Sequence, residues 1–217
     1  MTQPGPITGP TTGPTTGPVH PAAAMPPAGP SLPWHPALPI LTERLQLRPL
    51  RAGDEADVLA YRGQEAVARF MPQYPLTAQA AADFIAARTD ATVIAGDGDR
   101  ILLAMELDQR VIGDVMLRVR QLEHQQGEVG WVINPDFSGR GLVTEAARAL
   151  LRLGFMEFGL HRICAELDPR NGPSARVCER LQMRREALFH EDFWFKGEWG
   201  DSAIYAILHS EWERQQG

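Results

Sequence analysis

GEVGWVINPDFSGRGLVTEAARALLRLGF, residues 127–155, carries three signals in a row. Gly127 to Ile133 reads as a strand. A loop follows with Gly139 and Gly141 on either side of Arg140, and then apolar residues recur at helical spacing. Val143, Ala146, Ala147, Leu150 and Leu151 share one face of a helix expected from about Leu142 to Phe158, with Gly159 placed to end it. Glycines at a strand–helix junction bring backbone close to something: a neighbouring strand, a nucleotide phosphate or another anion. The first amides of a helix lack intrahelical partners and sit at the positive end of its dipole, so an anion is stabilised there. A Walker loop is excluded because no lysine follows the glycines. A Rossmann fingerprint is excluded because Thr144 stands where its third glycine would be. A plain structural turn remains open on this stretch alone.

Upstream of the loop, Ile101–Leu107, Arg110–Val119 and Gly127–Ile133 are strand-like runs with short connections, which predicts an antiparallel meander. Glu43–Leu50 alternates as a first strand. Two helical stretches follow it, AGDEADVLAYRGQEAVARFM and TAQAAADFIAARTD, the second with Thr77 as N-cap. Downstream, HRICAEL is a short apolar strand, then DPRNGPSARVCERLQM gives a turn and a helix with Pro173 in its first turn. Strands around Glu186–Phe193 and Ser202–His209 close the chain. The expected class is α/β, a mixed and mostly antiparallel sheet flanked by helices, with a βαβ crossover around residues 127–155.

Composition bounds the rest. Residues 1–42 hold no Asp, Glu, Lys or Arg, and 12 of the 18 prolines precede residue 40, so residues 1–38 read as a disordered Pro/Gly/Thr-rich extension. Residues 39–217 form one domain and carry the whole formal charge of −6. That disfavours nucleic-acid binding, despite a local cluster of Arg140, Arg148 and Arg152. No apolar run is long enough to span a membrane. Cys164 and Cys178 lack metal or disulfide spacing and read as buried thiols in a cytoplasmic protein. The six histidines show no ligand spacing, so no metal is expected; His161, His190 and His209 read as structural.

GEVGWVINPDFSGRGLVTEAARALL followed by HRICAELDPRNGPSARVCERLQM resembles the GCN5-related N-acetyltransferase superfamily, and within it the ribosomal-protein alanine/serine N-acetyltransferases. LTERLQLRPL and VIGDVML fit the same branch. The resemblance covers about residues 40–210. It implies a V-shaped opening between two central parallel strands that admits acetyl-coenzyme A. The pyrophosphate would lie on the amides of Ser138, Gly139, Arg140, Gly141, Leu142, Val143 and Thr144, and the pantetheine arm along Trp131, Val132, Ile133 and Asn134. Ser138 stands where the superfamily has Gln or Arg, and Val143 where it has Gly or Ala. Arg140 is either a further phosphate contact or a solvated arginine.

Asn171 and Ser174 match the family's N-x-x-S. From spacing alone Asn171 is an N-cap, and Ser174 shares the buried face with Val177, Cys178 and Leu181, although a serine merely bonding the helix start remains the bland reading. The resemblance implies that Ser174 hydrogen-bonds or protonates the coenzyme A sulfur, that a strand N–H near Val132 or Ile133 holds the thioester oxygen, and that attack is direct. Glu128, on the central strand, and Glu191 and Asp192, near the acceptor pocket of this branch, are the candidate bases; each has a solvated or paired carboxylate as its bland reading. Glu145 reads as a dipole complement and anchor. Phe189, Phe193, Trp194, Phe195 and Trp199 are expected to include core residues and one or two acceptor-site walls. The acceptor would be a primary amine, either a protein N-terminus (ribosomal proteins among them) or a small molecule. A homodimer is a further expectation from the branch. The alternative from another class is a non-catalytic coenzyme A-binding sensor or interaction module.

Overall fold

The computed structural model describes residue 29 and residues 31–216. Most of the expected extension, residues 1–28 and 30, lies outside the described residues. Within it, Trp34 already belongs to the packed chain. Its backbone bridges Ile94, and its ring meets Phe158 edge-on at 4.9 Å.

The first expected strand, Glu43–Leu50, is shortened to β2 (Gln46–Arg48), and a separate two-residue strand, β1 (Ile40–Leu41), precedes it. Thr42 makes the turn between them: its Oγ1 accepts from Leu45 N at 3.0 Å and donates to Glu145 Oε1 at 2.6 Å, which folds residues 42–45 back and delays the strand to Gln46. The long helical stretch is likewise two pieces, α1 (Glu55–Arg62) and α2 (Glu65–Ala68), because Gly63 closes α1 with its N–H on Leu59 O. α3 (Ala78–Ala86) starts at Thr77, whose side chain accepts from Ala80 N as its sequence position implied.

The meander forms as expected from β3 (Arg100–Leu107), β4 (Arg110–Gln121) and β5 (Gln126–Ile133). Asp108 and Gln109, both at positive φ, make the tight β3–β4 turn. A single 3-10 turn, Pro135–Phe137, leads into the glycine loop and α4 (Leu142–Arg152). The helix does not run on to Phe158; Leu153–Glu157 is a π-helical turn. Gly154 sits inside it, where a Cβ would lie 2.7 Å from Ile163 Cδ1, so the wider turn lets the chain press against the sheet. β6 (Arg162–Leu167) and α5 (Gly172–Arg180) follow. β7 (Arg184–Phe195) and β8 (Glu198–Leu208) are longer than expected and joined at Lys196–Gly197, both at positive φ. A last helix, α6 (His209–Gln216), replaces the expected end of the chain in a strand. It packs through Trp212, which is buried, and His209, whose ring stacks on Phe155 at 5.3 Å.

Among the described residues eight strands make one sheet, in the order β1-β2-β3-β4-β5-β6-β8-β7. All neighbours are antiparallel except β5 and β6. That pair is joined by the crossover through α4, and its ladder stops early: Gln126–Glu128 pair with Arg162–Cys164 and nothing beyond pairs. β5 goes on along β4 and β6 along β8, so the parallel strands open into a V. One core cluster lies under α4, α5 and α6, with Leu150, Leu151, Phe155 and Ile163 in it. A smaller one lies on the other face under α1 and α3, with Val58, Tyr61, Ile85 and Val132. Burying each such aliphatic side chain contributes about 1.5–3 kcal/mol. The V therefore opens between two firmly packed halves.

Candidate active site

Two cavities meet at the V. On the α4–α5 face, Ser138, Gly139, Arg140, Gly141, Leu142, Val143 and Thr144 line a space of about 280 Å³ together with Trp131, Ile133 and Ser174. Gly139 at φ +75° and Gly141 at φ +78° take backbone conformations that L-residues rarely adopt. They turn the loop so that α4 begins without a side-chain cap. Among the described residues, nothing accepts from the amides of Gly139 to Thr144; the first helical bond is Glu145 N to Gly141 O at 3.0 Å. Those N–H groups, at the positive end of the helix dipole, form a cradle in which an anion is stabilised.

The loop is held from outside. Arg44 donates to Arg140 O at 2.9 Å and pairs with Glu145 at 2.6 Å. Burial would raise the Glu145 carboxyl, but hydrogen bonds from Thr42 and Arg44 outweigh it and hold the group below its ordinary range. Glu145 is thus an anchor, in keeping with its place in the first turn. Thr144 Oγ1 accepts from Arg180 Nε at 3.0 Å, tying α4 to α5. Val143 is buried and lines the cradle, and Arg140 stands at its rim, 5.7 Å from the centroid of the Phe137 ring.

On the α1–α3 face lies a cleft of about 360 Å³, and Trp131, Asn171 and Ser174 are on its wall too. Trp131 and Ser174 therefore stand at the boundary of both cavities. Trp131 Nε1 donates to Ser174 Oγ at 3.3 Å, while Asn171 Oδ1 accepts from Ser174 N at 3.2 Å and caps α5. With Oγ accepting from the indole, the serine's own O–H remains to donate elsewhere.

Strand phase sorts the four positions 131–134 at the end of β5. Asn134 N donates to Ile112 O at 2.8 Å, and the register pairs Val132 with Asp114, so even-numbered residues direct their backbone groups at β4. Trp131 and Ile133 direct theirs into the V. Val132 is thereby spent on the ladder, and Asn134 has its N–H and its Oδ1 (accepting from Asp136 N at 3.1 Å) committed to the fold. Ile133 and Trp131 are the N–H groups left for an incoming acyl oxygen or amide chain.

The three candidate bases separate. Glu128 faces the cleft, its side chain 14% exposed and 3.1 Å from Arg118. Burial pushes its carboxyl above the ordinary range against the pull of Arg118 and Arg120. Glu191 and Asp192 are exposed on β7 and line neither cavity. An irregularity in the β7–β8 register spans them, and Glu191 N is held by Asp201 at 2.9 Å. The same edge strand decides the aromatic group. None of the five is core; Phe193 and Phe195 wall a neighbouring cavity, while Phe189, Trp194 and Trp199 are exposed. Cys164 and Cys178 are free and buried, with burial pushing the Cys178 thiol up to about 12.

Sequence reading missed a polar cluster on the cleft floor. Arg62 pairs Asp114 through Nε (2.9 Å) and Nη2 (2.6 Å), and Tyr61 Oη donates to the same carboxylate at 2.7 Å. Its signal was available as strand alternation, since Asp114, Met116 and Arg118 fall on one face of β4 with Arg100 and Glu128 in register beside them. Among the described residues no group of three or more His, Cys, Asp or Glu side chains is arranged to hold a metal.

A mixed sheet split at one parallel pair, with an anion cradle on one side of the split and a cleft on the other, defines an acetyltransferase of the GNAT type. The Acetyltransferase (GNAT) domain family matches residues 44–184. The chain is 34% identical over 174 residues to the uncharacterized N-acetyltransferase YnaD of Bacillus subtilis, a match covering 80% of this chain and 98% of the relative. The crystal structure of a GNAT-family acetyltransferase from Bacillus anthracis superposes with a TM-score of 0.71 at 33% identity, covering 79% of this chain and 99% of that one. RimJ of Mycobacterium smegmatis, solved in complex with CoA-disulfide, shares the fold with a TM-score of 0.69 at 23% identity, over 82% of this chain and 91% of its own. The chain belongs to the GNAT acetyltransferase family and is an acyltransferase.

Proposed function

We propose that this enzyme moves the acetyl group of acetyl-coenzyme A to a primary amine by direct attack, without an acyl-enzyme. The observation that carries this reading is the Trp131–Ser174 contact, because one hydroxyl stands between the anion cradle and the cleft. The amides from Gly139 to Thr144 would hold the pyrophosphate, and Arg140 at the rim adds a charged donor. That a structural relative was solved with a CoA-disulfide supports the same ligand here.

The chain's own groups then divide the work. Ile133 N–H, or Trp131 N–H, stabilises the negative charge that develops on the thioester oxygen. Glu128, directly or through water, takes the proton the amine must lose. As the new C–N bond forms and the C–S bond breaks, Ser174 donates its proton to the departing sulfur and is reprotonated from solvent. The net change is one proton passed from amine to thiol. The buried free thiols suit a reducing, cytoplasmic setting. Among the described residues no helix is long and apolar enough to cross a membrane.

The test is thiol release from acetyl-coenzyme A across a panel of peptides and small amines, with the acetylated product weighed by mass spectrometry. Amine-dependent release with an N-acetyl product is expected. Tight coenzyme binding with no release on any amine would instead make the protein a sensor.

A further inference from the structure

On its α3 side the cleft gathers four arginines, Arg62, Arg88, Arg100 and Arg118, around two carboxylates, Asp114 and Glu128. Arg62, with a side chain only 5% exposed, uses Nε and Nη2 on Asp114 and leaves Nη1 buried without a partner on the cleft wall. Arg118 reaches Glu128 through Nη2, and its Nε is also buried and unpartnered. Arg88 makes one bond, Nη1 to Phe84 O at 3.1 Å, and its guanidinium lies 4.0 Å from the Phe84 ring centroid, with that of Arg62 at 4.4 Å from the same ring. Arg100 stands directly opposite Arg118 across β3–β4, a like-charged pairing that destabilises a sheet. Among the described residues no carboxylate pairs with Arg88 or Arg100. Burial, followed by the charges of Arg100 and Arg62, lowers the Arg88 pKa against a smaller opposing pull from Asp114.

Buried donors left unmade cost free energy, and so do facing like charges. Both costs are offset when an anion enters. Guanidinium forks match a planar carboxylate in pairs. On the far side of the same cleft stand Glu166 and Asp168, beside the Ser174 end. The cleft is therefore polar in one direction, cationic under α3 and acidic toward β6. Its volume of about 360 Å³ suits a small molecule.

Resting on the acetyl-transfer reading, we propose that the acceptor is a small amine bearing a carboxylate, an amino-acid-like molecule whose carboxylate is received by Arg88 and Arg100 with the free N–H groups of Arg62 and Arg118. Its amine then points toward Glu128 and Ser174. A polyamine would place a second cation against the arginines, and an uncharged peptide chain would leave them unpaired.

The experiment compares the standard amino acids with their own carboxamides, alongside spermidine and neutral N-terminal peptides, by amine-dependent thiol release. At least one amino acid is expected to be favoured over its carboxamide about tenfold or more in kcat/KM, a preference of a size one charge-assisted contact supplies. In Arg88→Gln and Arg100→Gln, checked for folding by circular dichroism, that preference falls about tenfold through KM. Equal use of acid and carboxamide, preference for spermidine or a neutral peptide, or full preference in both variants overturns the proposal while leaving acetyl transfer standing. If no amine releases thiol, the acetyl-transfer reading fails instead. Calorimetry with N-acetyl amino acids and their carboxamides then decides the carboxylate site: binding that needs the carboxylate and weakens in Arg88→Gln upholds it, and its absence overturns it.

Discussion

Replacing Gly141 by alanine separates the glycine loop as a ligand cradle from the same loop as a mere turn. Gly141 is the N-cap of α4 at φ +78°, where an L-residue is strained by about 1–2 kcal/mol. A Cβ there would meet Arg44 Nη2 at 3.6 Å, an ordinary contact, so backbone strain is the whole effect. The empty loop can relieve it by rotating, but rotation turns the amides of Leu142, Val143 and Thr144 away from the cradle. Binding must then restore the strain, which predicts acetyl-coenzyme A held about 5- to 30-fold more weakly, since every 1.4 kcal/mol is about tenfold. Gly197 is the control. It sits at φ +86° in the β7–β8 hairpin with nothing within 4 Å of a Cβ, so Gly197→Ala meets the same strain away from the loop. Isothermal calorimetry with coenzyme A, beside thermal melts of all three proteins, reads both effects. Gly197→Ala should lower the melting temperature and leave binding alone. Parental coenzyme affinity in Gly141→Ala, or equal weakening in Gly197→Ala, would refute the cradle.

Three other outcomes follow from the same geometry. Ser174→Ala keeps coenzyme affinity and loses kcat, on the order of 10²-fold for a positioned general acid; steady-state kinetics with unchanged kcat would remove Ser174 from the chemistry. Because burial raises the Glu128 carboxyl above its ordinary value of 4.5, the folded protein holds that proton to higher pH than the unfolded chain does. As a base it must be ionised, so kcat/KM should fall as pH drops through this raised pKa, and a Glu128→Gln pH profile should lack that limb. The same sign means that this group's ionisation lowers folding stability as pH rises between its unfolded and folded pKa values. Asp114→Ala strands the Arg62 charge, 5% exposed, at a cost of about 3–5 kcal/mol. For a domain of this size that lowers the melting temperature by roughly 6–20 °C, and a shift of under about 2 °C in a thermal melt would show the pair to be solvated.

The meander was legible because its three runs are strand-like and their connections are too short for crossovers. The parallel pair was legible because an amphipathic helix separates two apolar runs. What local pattern could not show was where tertiary partners interrupt an element. Thr42 delays the start of the first expected strand by reaching Glu145, more than a hundred positions away. The π turn depends on Gly154 meeting Ile163, and α6 on Trp212 reaching the core. The site divided in the same way. Residues whose backbone lines the proposed cradle, Gly139 to Thr144, are adjacent in sequence and readable there. Glu191 and Asp192 failed to reach either cavity because an irregular edge strand re-aims them, a feature with no signature in the residues themselves. Trp131 was read for its backbone alone. Its indole bond to Ser174 crosses the V and joins two elements that the sequence keeps 43 positions apart.

The most direct measurement is a crystal structure with coenzyme A. Its pyrophosphate is expected on the amides between Gly139 and Thr144, its pantetheine arm on the backbone of Trp131 and Ile133, and its sulfur within hydrogen-bonding reach of Ser174 Oγ. A coenzyme bound elsewhere, or in the V with its sulfur out of reach of Ser174, would contradict this.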